Sequence, residues 1–275
     1  MQTRYREGMS ALGRVLIIAG SDSGGGAGIQ ADIKTVTALG GYAATAITAV
    51  TVQNTLGVTG VHSVPRNVIA AQAYAVLSDI GADAIKTGML GDASTVELVA
   101  EILDETDAPA VVDPVMVAKG GASLLADAAV AAVREQLVRR ATLLTPNAPE
   151  AEALTGLQVA STDDLRRAGE ALMKAGAKAV LMKGGHVPGD RVVDVLMTHA
   201  GETVFEGERI DSRHTHGTGC TLASACAAGL AQGMDLTAAV ARAWDYVHEA
   251  MLRAPGFGAG HGPLDHGWPL RGARR

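Results

Sequence analysis

The sequence predicts an α/β protein built on a mostly parallel β-sheet with helices packed on both faces. Short β-branched or apolar runs alternate along the chain with alanine-rich stretches of helical character, and this alternation is typical of βαβ units. Of the 275 residues, 48% are hydrophobic, yet only two are phenylalanine and 34 are glycine. This composition favours a close-packed core of Ala, Val, Leu and Ile in a single domain.

The first third of the chain sets the pattern. "RVLIIAG" at 14–20 is a continuous apolar run and predicts a buried strand, and the alanine-containing segment at 28–40 predicts a helix that stops at glycine. The β-branched segment at 43–54 predicts a second strand, and the alanine-rich segment at 68–80 a second helix. "DAIKTG" at 83–88 is the next strand, so strands and helices alternate as a parallel sheet requires.

The middle of the chain continues the alternation. A helix is predicted at 93–105, and "APAVVDP" at 108–114 is a strand that ends at proline. The long alanine-rich segment at 126–140 predicts another helix, "ATLLTP" at 141–146 another strand, and "APEAEALTG" at 148–156 a short helix that ends at glycine. Each apolar run is too short for a helix, which favours buried strands.

The last third departs from strict alternation. A helix at 162–176 and a strand at 177–185 repeat the pattern, but 191–210 predicts a hairpin that turns at "HAGE". Two helices, at 217–232 and 235–253, complete the domain. We therefore expect a frayed leader over 1–13, one domain over 14–266, and a short tail over 267–275.

Composition and charge exclude several classes of function. The net charge of −6 disfavours nucleic-acid binding. No apolar run is long enough to span a membrane, and the first residues lack a secretory signal. Cys220 and Cys226 suggest neither a disulfide framework nor a zinc site. We expect a soluble cytoplasmic protein with a small-molecule substrate and no nucleic-acid or membrane partner, and a homodimer as the commonest default.

The segment "HTHGTGC" at 214–220 is the strongest functional motif. Gly217 and Gly219 let backbone N–H groups point in one direction without an intervening Cβ, and the helix that follows adds the positive end of its dipole. Together with Thr218, these residues form a candidate site for a phosphate or a developing negative charge. The alternative is an ordinary glycine turn capped by Thr218.

Cys220 lies at the start of that helix, where the pKa of a thiol tends to fall. A partial thiolate there could accept a proton from a hydroxyl nucleophile. The alternative is a small buried hydrophobic residue, as most free cysteines are. Cys226 lies two turns deeper in an alanine-rich helix and fits this alternative.

A second glycine-rich turn, "AGSDSGGGAGIQAD" at 19–32, links the first strand and helix. It contains no G-x-G-x-x-G in any register, because position 29 is Ile and position 31 is Ala, and it lacks the Gly-Lys-Ser/Thr of a P-loop. A flexible turn that closes over a small ligand remains. Asp32 lies one helical turn past Gly28 and is predicted to reach a substrate hydroxyl, or else to be a solvated acid in the first turn.

Polar residues also follow the other strands, and because ligands of such sheets bind at the carboxyl ends of the strands, these motifs could converge on one edge. The Gln53 amide offers a donor and an acceptor side by side, a match for a nitrogen heterocycle that bears an amine; turn chemistry before "TLGV" is the alternative. Asn147 and Glu150 have the spacing of a capping box, but an acid there could also help hold hydrated Mg²⁺. Asp113 is a second candidate for the surroundings of the metal, and Lys183 is either a cation for a nucleotide phosphate or a surface lysine.

These motifs, in order, resemble the hydroxymethylpyrimidine/phosphomethylpyrimidine kinases of thiamine biosynthesis. The segments that carry the resemblance are "IAGSDSGGGAGIQADIKT", "AVTVQNTLGV", "KTGMLG", "DPVMVAKGG", "LTPNAPEAEALTG", "LMKGGH", "HTHGTGCTLASA" and "GHGPLDH". They extend from about Arg14 to His266, nearly the whole chain. The resemblance implies a ribokinase-like fold with three α/β/α layers.

The resemblance also implies a reaction. ATP and Mg²⁺ would be required, and 4-amino-5-hydroxymethyl-2-methylpyrimidine would receive first one phosphate and then a second. Carried over by motif, Gly217, Thr218, Gly219 and Cys220 would form the anion hole.

The same resemblance assigns the remaining site residues. Asn147, Lys183 and Thr215 would contact the nucleotide, and Glu150 and Asp113 would lie near the metal. Gln53 would recognise the aminopyrimidine. Asp32, Gly20 and Met89 would line its pocket.

Cys220 suggests why one site could perform both transfers. Many sugar kinases of this fold carry an aspartate at this position, and an aspartate would repel the dianionic monophosphate in the second transfer. A neutral or weakly charged cysteine would repel it less.

Three other functions are considered. A pyridoxal or pyridoxine kinase of the same fold would act on a similarly flat heterocycle with a hydroxymethyl group. An NAD-dependent oxidoreductase is disfavoured by the missing dinucleotide motif. A catalytically silent pyrimidine-binding regulator is disfavoured by the intact "HGTGC" and "NAPE" segments.

Overall fold

The computed structural model describes residues 12–116 and 127–271. Their strands form a sheet in the order β3-β2-β1-β4-β5-β6-β7-β8-β9. The strands are β1 (Arg14–Asp22), β2 (Tyr42–Asn54), β3 (Gly57–Ser63), β4 (Ala84–Thr87), β5 (Ala110–Val112), β6 (Leu143–Leu144), β7 (Ala179–Met182), β8 (Arg191–Thr198) and β9 (Gly201–Glu208). The six strands from β2 to β7 in that order are parallel, which confirms the predicted sheet.

Helices cover both faces of the sheet. They are α1 (Gly28–Ala38), α2 (Arg66–Asp79), α3 (Ala93–Asp104), α4 (Asp127–Ala132), α5 (Ala148–Thr155), α6 (Thr162–Lys174), α7 (Thr218–Ala231), α8 (Leu236–Leu252) and α9 (Trp268–Arg271). Successive residues of β1 point to opposite faces of the sheet. Leu16 and Ile18 pack in the core formed with α2 to α6, and Val15 and Ile17 pack in the core formed with α1, α7 and α8. The three-layer α/β/α architecture is thus confirmed.

The two ends of the sheet are antiparallel hairpins. The hairpin of β8 and β9 was predicted, and it turns at His199 and Ala200 as expected. The hairpin of β2 and β3 was missed, because Gly57 and Gly60 interrupt the β pattern of the second strand. Its tight turn is held by Asn54, whose Oδ1 accepts the Leu56 amide proton at 2.9 Å. This hairpin places Gln53 beside the end of β1.

The helix predicted at 126–140 is regular only in its first part. After α4 the chain continues as a π-turn over Val133–Leu137 and a 3₁₀ turn over Val138–Arg140. The predicted tail also contains structure, because Trp268 of α9 packs against Tyr246 of α8 with ring centroids 6.0 Å apart. Residues 1–11 of the expected leader lie outside the described residues.

Candidate active site

The polar motifs converge at the carboxyl ends of the parallel strands, where open α/β sheets bind ligands. Gly20 lies near the carboxyl end of β1, Met89 follows β4, and Asp113 follows β5. Asn147 and Lys183 follow β6 and β7 and form an isolated parallel bridge with each other. The prediction that these motifs meet at one edge is confirmed, because their strands are neighbours in the sheet.

Two cavities adjoin at this edge. One, of about 470 Å³, contains Gly20, Gln53 and Met89 in its wall; we call it the inner cavity. The other, of about 680 Å³, lies towards β8, β9 and α8; we call it the outer cavity. Both are lined by Lys183, His186, Thr215, Thr218 and Gly219. A group transferred from a ligand in one cavity to a ligand in the other would pass this shared wall.

The shared wall presents free backbone donors. Gly217 caps α7 with φ of 86°, and a Cβ at this position would collide with the carbonyl oxygen of Gly26. The Thr218 N–H reaches the Thr215 carbonyl at 3.4 Å. Within the described residues, the N–H groups of Gly217, Gly219 and Cys220 have no protein acceptor. Three amides at a helix N-terminus are therefore available to an anion.

The Cys220 thiol differs from its predicted state. Burial, together with the nearby carboxylates of Asp32 and Asp113, raises its pKa to about 12, although Lys86 and the Gly28 N–H act in the opposite direction. The predicted fall in pKa at the helix start is therefore wrong, because desolvation outweighs it. The thiol is protonated at neutral pH and is neutral towards a neighbouring phosphate. Cys226 is a buried hydrophobic residue, as expected.

Lys183 is the cation of the shared wall. Its Nζ lies 3.0 Å from Asp113 Oδ1 and 3.8 Å from Glu150 Oε2, and only 12% of its side chain is exposed. Burial opposes its charge, but Asp113 and Glu150 outweigh burial and hold its pKa above the ordinary value. The surface-lysine alternative is thus excluded. Asp113 is fixed by a further hydrogen bond from Thr145 Oγ1, at 3.1 Å.

Asn147 and Glu150 form the predicted capping box. Asn147 Oδ1 accepts the Glu150 N–H at 3.0 Å, and Glu150 Oε2 accepts the Asn147 N–H at 2.8 Å. Both residues also line the inner cavity, so the structural role does not exclude a functional one. Burial raises the pKa of Glu150 to about 7, with Asp113 adding to the rise and Lys183 opposing it. This carboxyl group is therefore poised to change charge near neutral pH.

A pH profile tests whether that charge matters. We expect the turnover rate to rise with pH through about 7 as Glu150 ionises, and we expect Glu150→Gln to lose this rise. A glutamine can still accept the Asn147 N–H, so the capping box remains. Because both proteins use the same substrates, ionisation of the substrates cancels in the comparison. Parallel profiles for the two proteins would show that Glu150 does not govern the reaction.

The inner cavity has a close-fitting floor. The pairing of β1 with β2 shifts register around Gly20, and a Cβ on Gly20 would lie 2.7 Å from the Met89 Cε. Glycine at this bulge therefore lets the Met89 side chain lie against the backbone. Gln53 is half-buried at the rim, and its Oε1 lies 3.1 Å from Thr51 Oγ1. The assignment of these residues to the aminopyrimidine stays a prediction.

Asp32 does not line the cavity, which corrects the prediction that it reaches a substrate hydroxyl or solvent. It is fully buried, and Lys86 Nζ lies 2.9 and 2.8 Å from its two carboxylate oxygens, while Ser224 Oγ donates to it at 2.7 Å. Burial favours the neutral form of Asp32, but these donors favour an ion pair, and Asp32 holds the pKa of Lys86 above its ordinary value. Lys86, which lines the inner cavity, was missed by sequence reasoning.

A second unpredicted group organises the first glycine turn. Asp22 accepts N–H protons from Gly24, Gly26 and Ala27 at 2.8 to 3.1 Å, and its Oδ2 lies 2.8 Å from His216 Nε2. His216 and the amide protons outweigh burial and lower the Asp22 pKa. In the sequence, Asp22 stands just before a glycine run and His216 directly before Gly217. Their hydrogen bond joins residues 194 positions apart, so no local pattern predicts it.

The outer cavity is lined by loop residues and by aromatic rings. Its wall includes the segment 208–212 and, on α8, Trp244 and His248, whose rings stack with centroids 5.5 Å apart. The sequence predicts that contacts to an adenine ring would come from the segment around 205–213 and from the last helices. Asp194 also lines this cavity, and burial raises its pKa to about 6. The glycines of "AKGGAS" at 118–123 would permit a lid loop to close, but this segment lies outside the described residues.

Residues 22–265 match the family model described as phosphomethylpyrimidine kinase. The chain is 52% identical over 256 residues to the hydroxymethylpyrimidine/phosphomethylpyrimidine kinase of Streptomyces coelicolor, with 93% of this chain and 95% of the relative covered. It is 51% identical over 255 residues to the thiamine biosynthesis bifunctional protein ThiED of Geobacter sulfurreducens, with 92% of this chain and 52% of that longer protein covered.

A solved structure is similar over the same extent. The ADP complex of Bacillus subtilis pyridoxal kinase superposes with a TM-score of 0.88 at 37% sequence identity. The superposition covers 95% of this chain and 99% of that chain.

Proposed function

The chain belongs to the phosphomethylpyrimidine kinase family, and on that premise we propose that its two adjoining cavities hold the two substrates of the transfer. The protein phosphorylates 4-amino-5-hydroxymethyl-2-methylpyrimidine and then the resulting monophosphate, in thiamine biosynthesis. ATP is the phosphoryl donor. The outer cavity would hold the nucleotide and the inner cavity the pyrimidine. The observation that carries this assignment is the shared wall, with the unpaired amide of Gly219 in it and those of Gly217 and Cys220 beside it on the inner side.

Residues in and beside the shared wall have separate roles in this proposal. Phosphoryl transfer depends mainly on positioning and on neutralising spread negative charge. The N–H groups of Gly217, Gly219 and Cys220 would donate to the oxygens of the phosphoryl group in flight. Lys183 would neutralise nucleotide phosphate, while Thr215 in the wall and Asn147 on its inner side would contact the nucleotide where its phosphates reach the wall. Gln53, Gly20 and Met89 would fix the pyrimidine ring so that its substituent faces the wall.

Mg²⁺ belongs to the same proposal. Within residues 12–116 and 127–271, no group of three or more His, Cys, Asp or Glu could hold a metal on its own. Mg²⁺ usually keeps several waters and binds through one or two carboxylates plus substrate phosphates, and the Asp113 and Glu150 carboxylates fit that requirement. When bound, Mg²⁺ would neutralise charge on the phosphates. The dependence of turnover on Mg²⁺ is measured by adding EDTA during ATP turnover, and we expect activity to be lost as the chelator removes the metal.

Cys220 would be the compromise that serves both transfers. Its protonated thiol does not repel a dianionic monophosphate, whereas an aspartate would. We expect Cys220→Asp to lower kcat/KM for the second transfer at least about tenfold more than for the first, which requires only ~1.4 kcal/mol of repulsion. Cys220→Ser, neutral and of similar size, is the control and should leave the ratio of the two transfers unchanged. Equal losses in both transfers would refute this role.

Mass spectrometry of the products tests the function directly. The protein is incubated with the aminopyrimidine alcohol, ATP and Mg²⁺, and the products are followed with time. We expect the monophosphate to appear first and the diphosphate to follow. Accumulation of the monophosphate alone would show that the protein does not catalyse the second transfer. Absence of both the monophosphate and the diphosphate would refute the proposed function.

Pyridoxal phosphorylation is the second candidate, favoured by the similarity to a pyridoxal kinase. Pyridoxal and the aminopyrimidine are both flat heterocycles with a hydroxymethyl group. The sequence relatives favour the pyrimidine. Side-by-side kcat/KM values for the two alcohols decide between them, and we expect the larger value for the aminopyrimidine.

A homodimer formed through the β2–β3 hairpin is also proposed. Val52 is 63% exposed and Leu56 is 73% exposed, and Val50 lies on the same face of β2 as Val52. Exposed apolar patches of this kind mark interaction surfaces. We expect sedimentation velocity to give a dimer for the parent and a monomer for Val52→Asp. A parent that sediments as a monomer would exclude this assembly.

No helix within the described residues is long and apolar enough to cross a membrane. We propose a cytoplasmic location because the reaction consumes ATP. Fractionation of cells that express the protein tests this proposal, and recovery with the membrane fraction would contradict it.

A further inference from the structure

The rim of the inner cavity contains a chain of hydrogen-bonding groups, and the groups at its two ends decide which atoms donate and which accept. Gln53 lies in the middle, with its Nε2 3.2 Å from His216 Nε2 and its Oε1 3.1 Å from Thr51 Oγ1. At one end, His216 Nε2 lies 2.8 Å from Asp22 Oδ2. At the other end, Thr51 Oγ1 lies 2.9 Å from the Ser21 carbonyl oxygen.

The Asp22 end fixes the proton on the histidine. An ionised carboxylate only accepts hydrogen bonds, and the pKa of Asp22 is lowered. His216 Nε2 must therefore carry a hydrogen, whether the ring is neutral or charged. That single hydrogen points mainly to Asp22 Oδ2, 2.8 Å away, so Gln53 at 3.2 Å can share it only as a weaker second acceptor, whereas an amide N–H there would face the same hydrogen and be repelled.

The Thr51 end leads to the same orientation. A hydroxyl has one proton, and the Ser21 carbonyl can only accept it. Thr51 Oγ1 is then an acceptor towards Gln53, so the amide nitrogen belongs on the Thr51 side. A half-turn of the amide about its last bond removes the donor–donor clash with His216 and lets the amide nitrogen donate to Thr51, with the amide oxygen towards His216.

We infer that His216 is a positioning residue that, with Thr51, locks the orientation of the Gln53 amide and thereby selects an aminopyrimidine over a ring that bears a carbonyl at the same place. This inference rests on the proposed function. An amide that could rotate would match either an amine beside a ring nitrogen or a carbonyl beside a ring N–H. An amide locked at both ends matches only one of these two patterns.

The test uses two ligands that differ only in this pattern. One is the 4-amino alcohol, and the other is 5-hydroxymethyl-2-methylpyrimidin-4-one, in which the 4-substituent is an acceptor and the adjacent ring nitrogen a donor. Dissociation constants of both are measured by calorimetry for the parent and for three variants. His216→Leu removes the donor, His216→Gln keeps an N–H donor near the position of Nε2, and Thr51→Val removes the acceptor on the other side.

The expected result is a change in selectivity, not a uniform loss of binding. The preference for the 4-amino ligand should fall about tenfold in His216→Leu and in Thr51→Val, and His216→Gln should retain most of it. In ¹⁵N-resolved spectra, the His216 ring should carry hydrogen on Nε2 in the parent. The inference is overturned if both ligands weaken equally in His216→Leu, if its preference stays within twofold of the parent, or if the 4-oxo ligand binds none of the proteins.

Turnover of the 4-amino alcohol by the parent separates this inference from the function on which it rests. If the parent forms no phosphorylated product, the proposed function itself is at fault. If the parent is active and the selectivity of His216→Leu is unchanged, only the role of His216 fails. A folded variant is recognised by an unchanged ATP affinity, because His216 lines the inner cavity and not the outer one.

Discussion

Gly219→Ala should lower kcat about 100-fold while the protein stays folded. A Cβ at this position would lie 3.2 Å from Lys183 Nζ and 3.7 Å from Asp113 Oδ2, in the space where the two cavities adjoin. The methyl group would displace the lysine or the phosphoryl group by a fraction of an ångström to about an ångström, and displacements of that size cost on the order of 100-fold in rate. Steady-state kinetics together with a melting temperature measures both effects.

Gly267→Ala is the matched control for this substitution. Gly267 also lacks a left-handed backbone conformation, and its nearest contact to a new Cβ is an ordinary 3.7 Å. We expect parent-like turnover from the control. Gly217→Ala is a poorer probe, because φ of 86° and the Gly26 carbonyl would disturb folding as well. Full activity in Gly219→Ala would mean that the reacting phosphoryl group does not pass this wall.

Lys183→Met should lower kcat about 1000-fold and destabilise the fold by about 3 kcal/mol at neutral pH. The first effect follows from loss of the cation nearest the transferred charge. The second follows because Asp113 and Glu150, both buried, lose the ammonium group 3.0 and 3.8 Å away, and unpaired buried charge costs several kcal/mol. Methionine keeps much of the packing volume of the stem.

The pH dependence of stability distinguishes these effects. In Lys183→Met the buried Glu150 carboxyl group binds a proton more readily in the folded than in the unfolded state, so stability should fall as the pH rises. With Lys183 present the pKa of Glu150 is already raised to about 7, and without Lys183 it rises further, so this fall in stability should extend from acidic pH up through neutrality. The double variant Lys183→Met/Asp113→Asn should regain stability but not activity. Recovery of activity in the double variant would show that Lys183 serves only the fold.

The sequence was sufficient for the elements whose signals are local. The alternation of apolar runs and helical stretches predicted the parallel strands, and "NAPE" predicted the capping box that the structure contains. Strand β3 was missed, because its glycines resemble a loop and its pairing with β2 depends on a partner strand. The sequence also predicted the edge of the sheet at which the motifs meet, because most of them come directly after a strand.

The sequence was insufficient where the outcome depends on distant residues. Asp32 was expected at the cavity, but it lies on the buried face of α1 and meets Lys86, a residue 54 positions away on β4. The local dipole argument predicted a lower Cys220 pKa, but burial by the rest of the domain raises it to about 12. Asp22 and His216 pair across 194 positions, which no local pattern could indicate.

The most direct measurement is a crystal structure with a non-hydrolysable ATP analogue and the aminopyrimidine alcohol bound together. Our account predicts γ-phosphate oxygens at hydrogen-bond distance, about 2.7–3.2 Å, from the backbone nitrogens of Gly217, Gly219 and Cys220, with the hydroxymethyl group on the opposite side of the phosphorus. Triphosphate oxygens bound elsewhere, with those three amides still facing an empty space or water, would contradict it.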